Sequence, residues 1–302
     1  MTSLTQALRE RSAHLHLPLP LPIILALVSI YIIWGASFYA IKIGLESFPP
    51  LLMAGGRFVV AGGLLMAFMC LRAAPLPTFA QWRFAVAFGF LFIALGNGGV
   101  TFAEQYVETS AAALTTATVP LWATVWMRMR GIHPTWREWL GVLIGFGGIV
   151  LLNLDGKLAA QPIGLLALLL SAFGTSFGTV WKGDAETAPG MMGAAAEMLC
   201  AGVILLAAGV MRGEHVTAMP SLNSVVALIY LLIFGSLIAY GRFSYLVKNV
   251  KPTLATSHAY VNPVVAVLIG VTIAGETLGH YGLPAMILIV GGVVLILTSR
   301  RH

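Results

Sequence analysis

The chain has 302 residues, of which 59% are hydrophobic and only 9% charged, against roughly 25% charged residues in ordinary soluble domains. That balance excludes a soluble globular protein and points to a membrane protein. The formal net charge of +6 comes from cations scattered singly between apolar runs, a pattern that orients helices in a bilayer and gives no nucleic-acid surface.

Crossing a hydrocarbon core of about 30 Å takes about 20 apolar residues in a helix. Apolar runs of about that length recur at 23–45, 51–71, 84–103, 109–127, 139–154, 164–181, 190–211, 225–246, 253–274 and 281–298. They predict an all-α polytopic membrane protein with ten transmembrane helices, preceded by a cytoplasmic tail over 1–22. The first run follows Arg9 and Arg11, but it is long, lacks a small-residue cleavage site and leads into further spans. It is therefore read as a retained helix and not as a signal peptide. Cys70 and Cys200 both fall inside apolar runs, where packing is their default role and no disulfide is implied.

Polar residues within apolar helices are the informative exceptions, because each must face the bundle interior or water. Helix 1 sets Trp34, Phe38 and Lys42 on one face at spacings of four. Two placements fit Lys42: snorkelling to the rim from a helix end, or pointing inward as the counter-ion of a substrate carboxylate or a protein acid. Helix 2 repeats Ala54, Gly55, Gly56 as Ala61, Gly62, Gly63, a small-residue stripe that lets helices approach closely, as does Gly141 with Gly145 in helix 5. Arg57 of helix 2 and Glu197 of helix 7 hold roughly corresponding positions, and each is expected to be neutralised inside the bundle. An unpaired charge at mid-bilayer costs about 2.5–3.5 kcal/mol.

Helix 3 offers Asn97, Thr101 and Glu104, a face that is either hydrogen-bonded between helices or turned to a cavity. Helix 4 carries Thr115, Thr118 and Trp122 around Pro120, and helix 9 carries His258, Tyr260 and Asn262 next to Pro263. The two prolines are candidate hinges, since proline removes a backbone bond, with a tolerated kink as the alternative. Ser176 and Tyr240 complete the cavity candidates. Trp181, Lys182 and Arg242 fit interfacial anchoring at least as well as binding.

The chain also repeats itself. "WGASF" (34–38) returns as "FGTSF" (173–177), and "TSAAALTTATVP" (109–120) lies over "PTLATSHAYVNP" (252–263) at an offset of 143. Two five-helix halves follow, 23–154 and 164–298. Five is odd, so the second half enters the membrane from the opposite side, as in the inverted repeats of secondary transporters. Assigning loops to alternate sides puts twelve Lys and Arg residues on the side of the termini and only Lys157 and Arg212 on the other, so both termini are expected to be cytoplasmic.

The runs "YIIWGASFYAIKIGLESFPPLLMAGGRF", "GNGGVTFAEQ" and "AYVNPVVAVLIGVTIAGETLG" resemble the EamA family of the drug/metabolite transporter superfamily, over essentially the whole chain. The resemblance implies a bacterial inner-membrane carrier whose central cavity is lined mainly by helices 1, 3, 4, 6, 8 and 9. It also implies export of small organic solutes, amino acids among them, by alternating access. On this reading the cavity candidates are Trp34, Phe38, Lys42, Asn97, Thr101, Glu104, Trp122, Ser176, Tyr240, His258, Tyr260 and Asn262, with Pro120 and Pro263 as hinges. A cationic drug efflux carrier and a non-transporting sensor are the alternatives. There is no GxxxxGK[ST] loop and no HExxH pair, and Ser257 beside His258 cannot face it along a helix. No enzyme, cofactor or metal is therefore expected. The partners are a small-molecule substrate and the lipid bilayer, and because one chain holds both halves a monomer suffices, with a dimer compatible.

Overall fold

The computed structural model describes residues 19–107, 112, 116–152, 162–183, 185–272 and 281–298, and these are helical apart from short connections. Among the described residues six helices are long and apolar enough to cross a membrane: α1 (Leu21–Leu45), α2 (Pro50–Leu71), α3 (Phe79–Ala103), α6 (Pro162–Lys182), α7 (Met191–Met211) and α8 (Leu222–Asn249). Shorter helices are α4 (Val119–Met129), α5 (Trp136–Leu152), α9 (His258–Thr272) and α10 (Gly282–Leu297), with a single turn, Pro252–Ala255, ahead of α9.

Local chemistry sets the helix starts. Prolines stand in the first turn of α1, α2 and α4, where the missing N–H costs no intrahelical bond. Pro120 therefore opens α4, and the kinked-helix expectation does not hold for its described part; Thr115 lies outside the described residues. Pro263 does sit inside α9. The third helix begins ahead of the predicted run because Thr78 and Gln81 form a capping box, the Gln81 N–H donating to Thr78 Oγ1 over 3.3 Å and the Thr78 N–H to Gln81 Oε1 over 2.9 Å. Thr135 and Glu138 do the same for α5. Before α7, Gly190 takes φ +59°, a left-handed conformation that glycine adopts without strain.

The glycine stripe of α2 meets α7 backbone to backbone. A Cβ on Gly62 would lie 2.8 Å from the Leu199 nitrogen, and one on Gly202 would lie 2.6 Å from the Val59 nitrogen. On the outer face Val60, Leu64 and Phe68 are exposed at spacings of four, as a lipid-facing surface requires. Helices α5 and α10 make the same kind of pair through Gly141 and Gly292. Elsewhere α3 packs on α6 and α7, α4 on α6, α8 on α1 and α2, and α9 on α1. Adding five to each helix number turns this set of contacts into itself.

Two stretches depart from the α-helix: Gly89–Gly98 in α3 and Leu231–Tyr240 in α8 are π-helical. Each lies in the third helix of its predicted half, and their separation is close to the offsets of the sequence repeat. Long π-helical stretches are rare and recur at functional sites.

Candidate functional site

The π-helical stretch of α3 borders a central cavity of about 100 Å³, while that of α8 contributes no residue to its lining. Its walls come from α1 (Trp34, Ser37, Phe38, Ile41), α3 (Phe92, Gly96, Asn97, Val100), the approach to α4 (Thr116, Val119), α6 (Ser171, Thr175) and α9 (His258, Ala259, Asn262). Ligand sites typically enclose roughly 300–1,000 Å³. The cavity is thus smaller than a site that engulfs an organic solute, and it has to widen to admit one.

Aromatic rings form one end. The ring centroid of Trp34 lies 5.3 Å from that of Phe243 and 4.7 Å from the His258 ring, which it meets edge-on, and Phe92 stacks on Phe243 at 4.4 Å. Trp34 is fixed by Nε1 donating to the Gly235 carbonyl, in the π-helical stretch of α8, over 3.1 Å. The His258 Nδ1 faces the Ala255 carbonyl at 2.9 Å. A carbonyl only accepts, so Nδ1 carries the hydrogen.

Behind this aromatic layer lies a buried ion pair. Lys182 Nζ donates to Glu197 Oε2 over 2.5 Å and to Ser244 Oγ over 3.0 Å, while Tyr240 donates its hydroxyl hydrogen to the same Glu197 oxygen. The two charged side chains are 3% and 1% exposed. Glu197 is therefore neutralised as expected, by a lysine that fits interfacial anchoring at least as well as binding in the sequence alone.

On α3 the polar face is built differently. Arg57, 3% exposed, donates from Nη2 to Asn97 Oδ1, and Thr101 Oγ1 donates to the Asn97 carbonyl over 2.9 Å. Among the described residues neither Arg57 Nε nor either carboxylate oxygen of Glu104 has a hydrogen-bond partner, and the same is true of Asn262 Oδ1. Glu104 feels the charges of Lys42 and Arg57 without reaching ion-pair distance of either.

Of the predicted cavity residues, Trp34, Phe38, Asn97, His258 and Asn262 come together in the lining. The others do not. Lys42 is exposed in the last turn of α1, the snorkelling placement, where a cation also suits the carboxyl end of the helix dipole. Thr101 and Glu104 lie behind and beyond the lining. Trp122, 38% exposed, turns outward, stacks on Trp126 and meets Phe173 edge-on. Ser176 is bound to Trp126 Nε1 at 3.2 Å. Tyr240 belongs to the ion pair. Tyr260 is fully buried and donates to the Val142 carbonyl over 3.1 Å. Sequence reasoning missed Phe92 and Phe243, which carry no polar signal. It also missed Ser171 and Thr175, a pair four apart in the α6 run that a search for polar residues in apolar helices would have found.

The sequence model of the EamA-like transporter family matches residues 21–154 and 162–298. The chain is 47% identical over 276 residues to the inner membrane transporter YedA of Escherichia coli (strain K12), covering 91% of this chain and 90% of that protein. It is 24% identical over 282 residues to a probable amino-acid metabolite efflux pump of Salmonella typhimurium (strain LT2), covering 88% of this chain and 91% of the pump. A protein crystal structure shares the fold, with a TM-score of 0.73 over 90% of this chain and 95% of that one at 20% sequence identity.

Proposed function

Because the chain belongs to the EamA-like transporter family, we propose that it is a secondary carrier of the inner membrane that exports small organic metabolites, amino acids with neutral or aromatic side chains foremost. The observation that carries this reading is the central cavity, walled by helices of both halves, apolar on most sides and furnished with the amides of Asn97 and Asn262 and the imidazole of His258. Apolar walls with a few placed polar groups are what a small amphipathic solute needs. The Salmonella relative bears the name of an amino-acid metabolite efflux pump, which agrees with that cargo.

In this reading the chain forms ten transmembrane helices as two inverted five-helix repeats, 23–154 and 164–298, with both termini cytoplasmic. Three observations support the repeat. The family match falls in two blocks, 21–154 and 162–298, the π-helical stretches take equivalent places in the two halves, and the helix contacts are preserved when each helix number advances by five. Transport follows from rocking one repeat against the other around the cavity. Lys182 then lies at the cytoplasmic end of α6, so the Lys182–Glu197 pair closes the inner side, and Ile41 and Val100 lead outward from the cavity. Pro263 cannot donate to the Ala259 carbonyl one turn back, which leaves that cavity residue's oxygen free for a solute and weakens α9 as a hinge.

A cationic drug carrier is the second reading, favoured by the unpartnered carboxylate of Glu104. Efflux of labelled amino acids from loaded proteoliposomes decides between them. Protein-dependent loss of neutral amino acids is expected. Identical leakage with and without protein across a broad amino-acid panel, with efflux of organic cations that Glu104→Gln abolishes, would hand the case to the second reading.

A further inference from the structure

We infer that Arg57, without touching the cargo, fixes which way the Asn97 amide faces and so gives the cavity a donor pole for a carboxylate opposite an acceptor pole at Asn262. The inference rests on the carrier reading above and assigns the ends of its site.

A guanidinium has five N–H donors and no acceptor, so only the carbonyl oxygen of an asparagine amide can face it. Arg57 Nη2 meets Asn97 Oδ1, and this leaves the Asn97 NH₂ as the end not held by Arg57 on a side chain that lines the cavity. The guanidinium behind it is 3% exposed and pairs with no carboxylate among the described residues. Its charge is therefore delivered through the amide, which polarises the NH₂ towards an anion. Arg57 Nε has no hydrogen-bond partner among the described residues, so the arginine holds donor capacity that they leave unused.

On α9, Asn262 also lines the cavity, is 6% exposed, and its Oδ1 accepts from nothing among the described residues. An unsatisfied buried acceptor bears the full cost of its desolvation. A ligand ammonium removes that cost, as a ligand carboxylate does at Asn97. The same cavity is lined by Trp34, Phe38 and Phe92, apolar surface for a side chain. A molecule with carboxylate and ammonium on one carbon and an apolar or aromatic substituent meets all three.

The test uses the full-length protein in lipid nanodiscs and three probes with a common ring: phenylalanine, phenethylamine, which lacks the carboxylate, and 3-phenylpropanoate, which lacks the ammonium. Thermal-shift titration and counterflow in proteoliposomes are read for each. The zwitterion is expected to bind at least ten-fold more tightly than either truncated probe. Arg57→Gln and Asn97→Asp are expected to erase the preference for phenylalanine over phenethylamine, while Asn262→Leu erases only its preference over 3-phenylpropanoate. A merely structural role for Arg57 would lower binding of all three together and leave the ratios unchanged, which overturns the inference. Equal affinity of the wild-type protein for the three probes also overturns it, whatever the variants do. If other solutes are carried and none of the three binds, this assignment falls while the carrier reading stands. If nothing in a broad panel is carried, both fall.

Discussion

Two clusters of ionisable side chains occupy matching places in the two halves and are built in opposite ways. An offset of 140 brings Lys182 and Glu197 onto Lys42 and Arg57, and one of 143 brings Tyr240 and Ser244 onto Asn97 and Thr101, close to the offsets of the two sequence repeats. In the second half these positions close into one network, with every donor on Lys182 aimed at Glu197, Tyr240 or Ser244. In the first half the acid of the pair is replaced by Arg57, Lys42 stays exposed, and the carboxylate of Glu104, one helix away, has no hydrogen-bond partner among the described residues. A closed buried network holds a shape, because removing one member strands another. An open one leaves binding energy for something that arrives, a cargo group or a protein group brought in by motion. The difference teaches which end of the molecule is latched and which end is ready to act.

The largest effect should come from stranding Lys182. Glu197→Ala leaves a buried ammonium without its counter-ion, and removing one partner of a buried pair costs about 3–5 kcal/mol. Thermal unfolding in detergent should show the loss, and the double variant Lys182→Met, Glu197→Leu should restore much of it, because the pair as a whole adds little over well-packed apolar residues. If the pair is the inner latch, that double variant folds and yet loses directional efflux. Equal stability of Glu197→Ala and the parent chain would mean that the two clusters do not differ after all. A smaller loss is expected for Tyr240→Phe. It removes one hydrogen bond to a charged oxygen, worth about 1.5–3 kcal/mol, and leaves the ion pair standing.

How much of this contrast was legible in the sequence follows from what helical spacing can and cannot say. Spacing of four correctly placed Trp34 with Phe38 on one face, and His258 with Asn262 on another, and both faces line the cavity. Spacing does not say which neighbour a face meets. Trp122 shares the polar stretch around Pro120 and yet turns outward against Phe173, because the aromatic rings of α6 stand on that side. Ser176 and Tyr260 sit in apolar helices for the same reason as any cavity residue, yet their polar atoms are consumed by Trp126 and by a backbone carbonyl. Lys182 reads as an anchor because it ends an apolar run, and its partner lies on the next helix, across a turn. The π-helical stretches leave no compositional mark. Their equivalent placement became visible only beside the structure.

A third variant probes how the halves are held together. Glu214, after α7, accepts from the backbone nitrogens of both Leu51 and Leu52 over 3.0 Å and so caps α2, the helix that carries Arg57. Glu214→Ala should cost about 1 kcal/mol, the usual worth of a helix cap, and a change in the Arg57-dependent ligand preference without a fall in stability would tie the cap to the open cluster.

The smallest effect is the most direct challenge to the contrast. Glu104→Gln keeps the shape of the side chain and removes its charge. Because no described residue bonds either carboxylate oxygen, the folded protein should lose nothing that held it together, and relieving an unpaired buried charge should leave its stability unchanged or raised. The matching change in the closed cluster, Glu197→Gln, weakens a buried charge pair and should be the more costly. A fall of about 1.5–3 kcal/mol for Glu104→Gln, the scale of a hydrogen bond to a charged group, would require that Arg57 or Lys42 pairs with Glu104 in the bilayer. Both halves would then be latched at once, and a carrier locked at both ends cannot exchange its cargo with either side. Equal and small effects from both substitutions would fail in the other direction, since the Lys182–Glu197 pair would then be no firmer a closure than the open cluster.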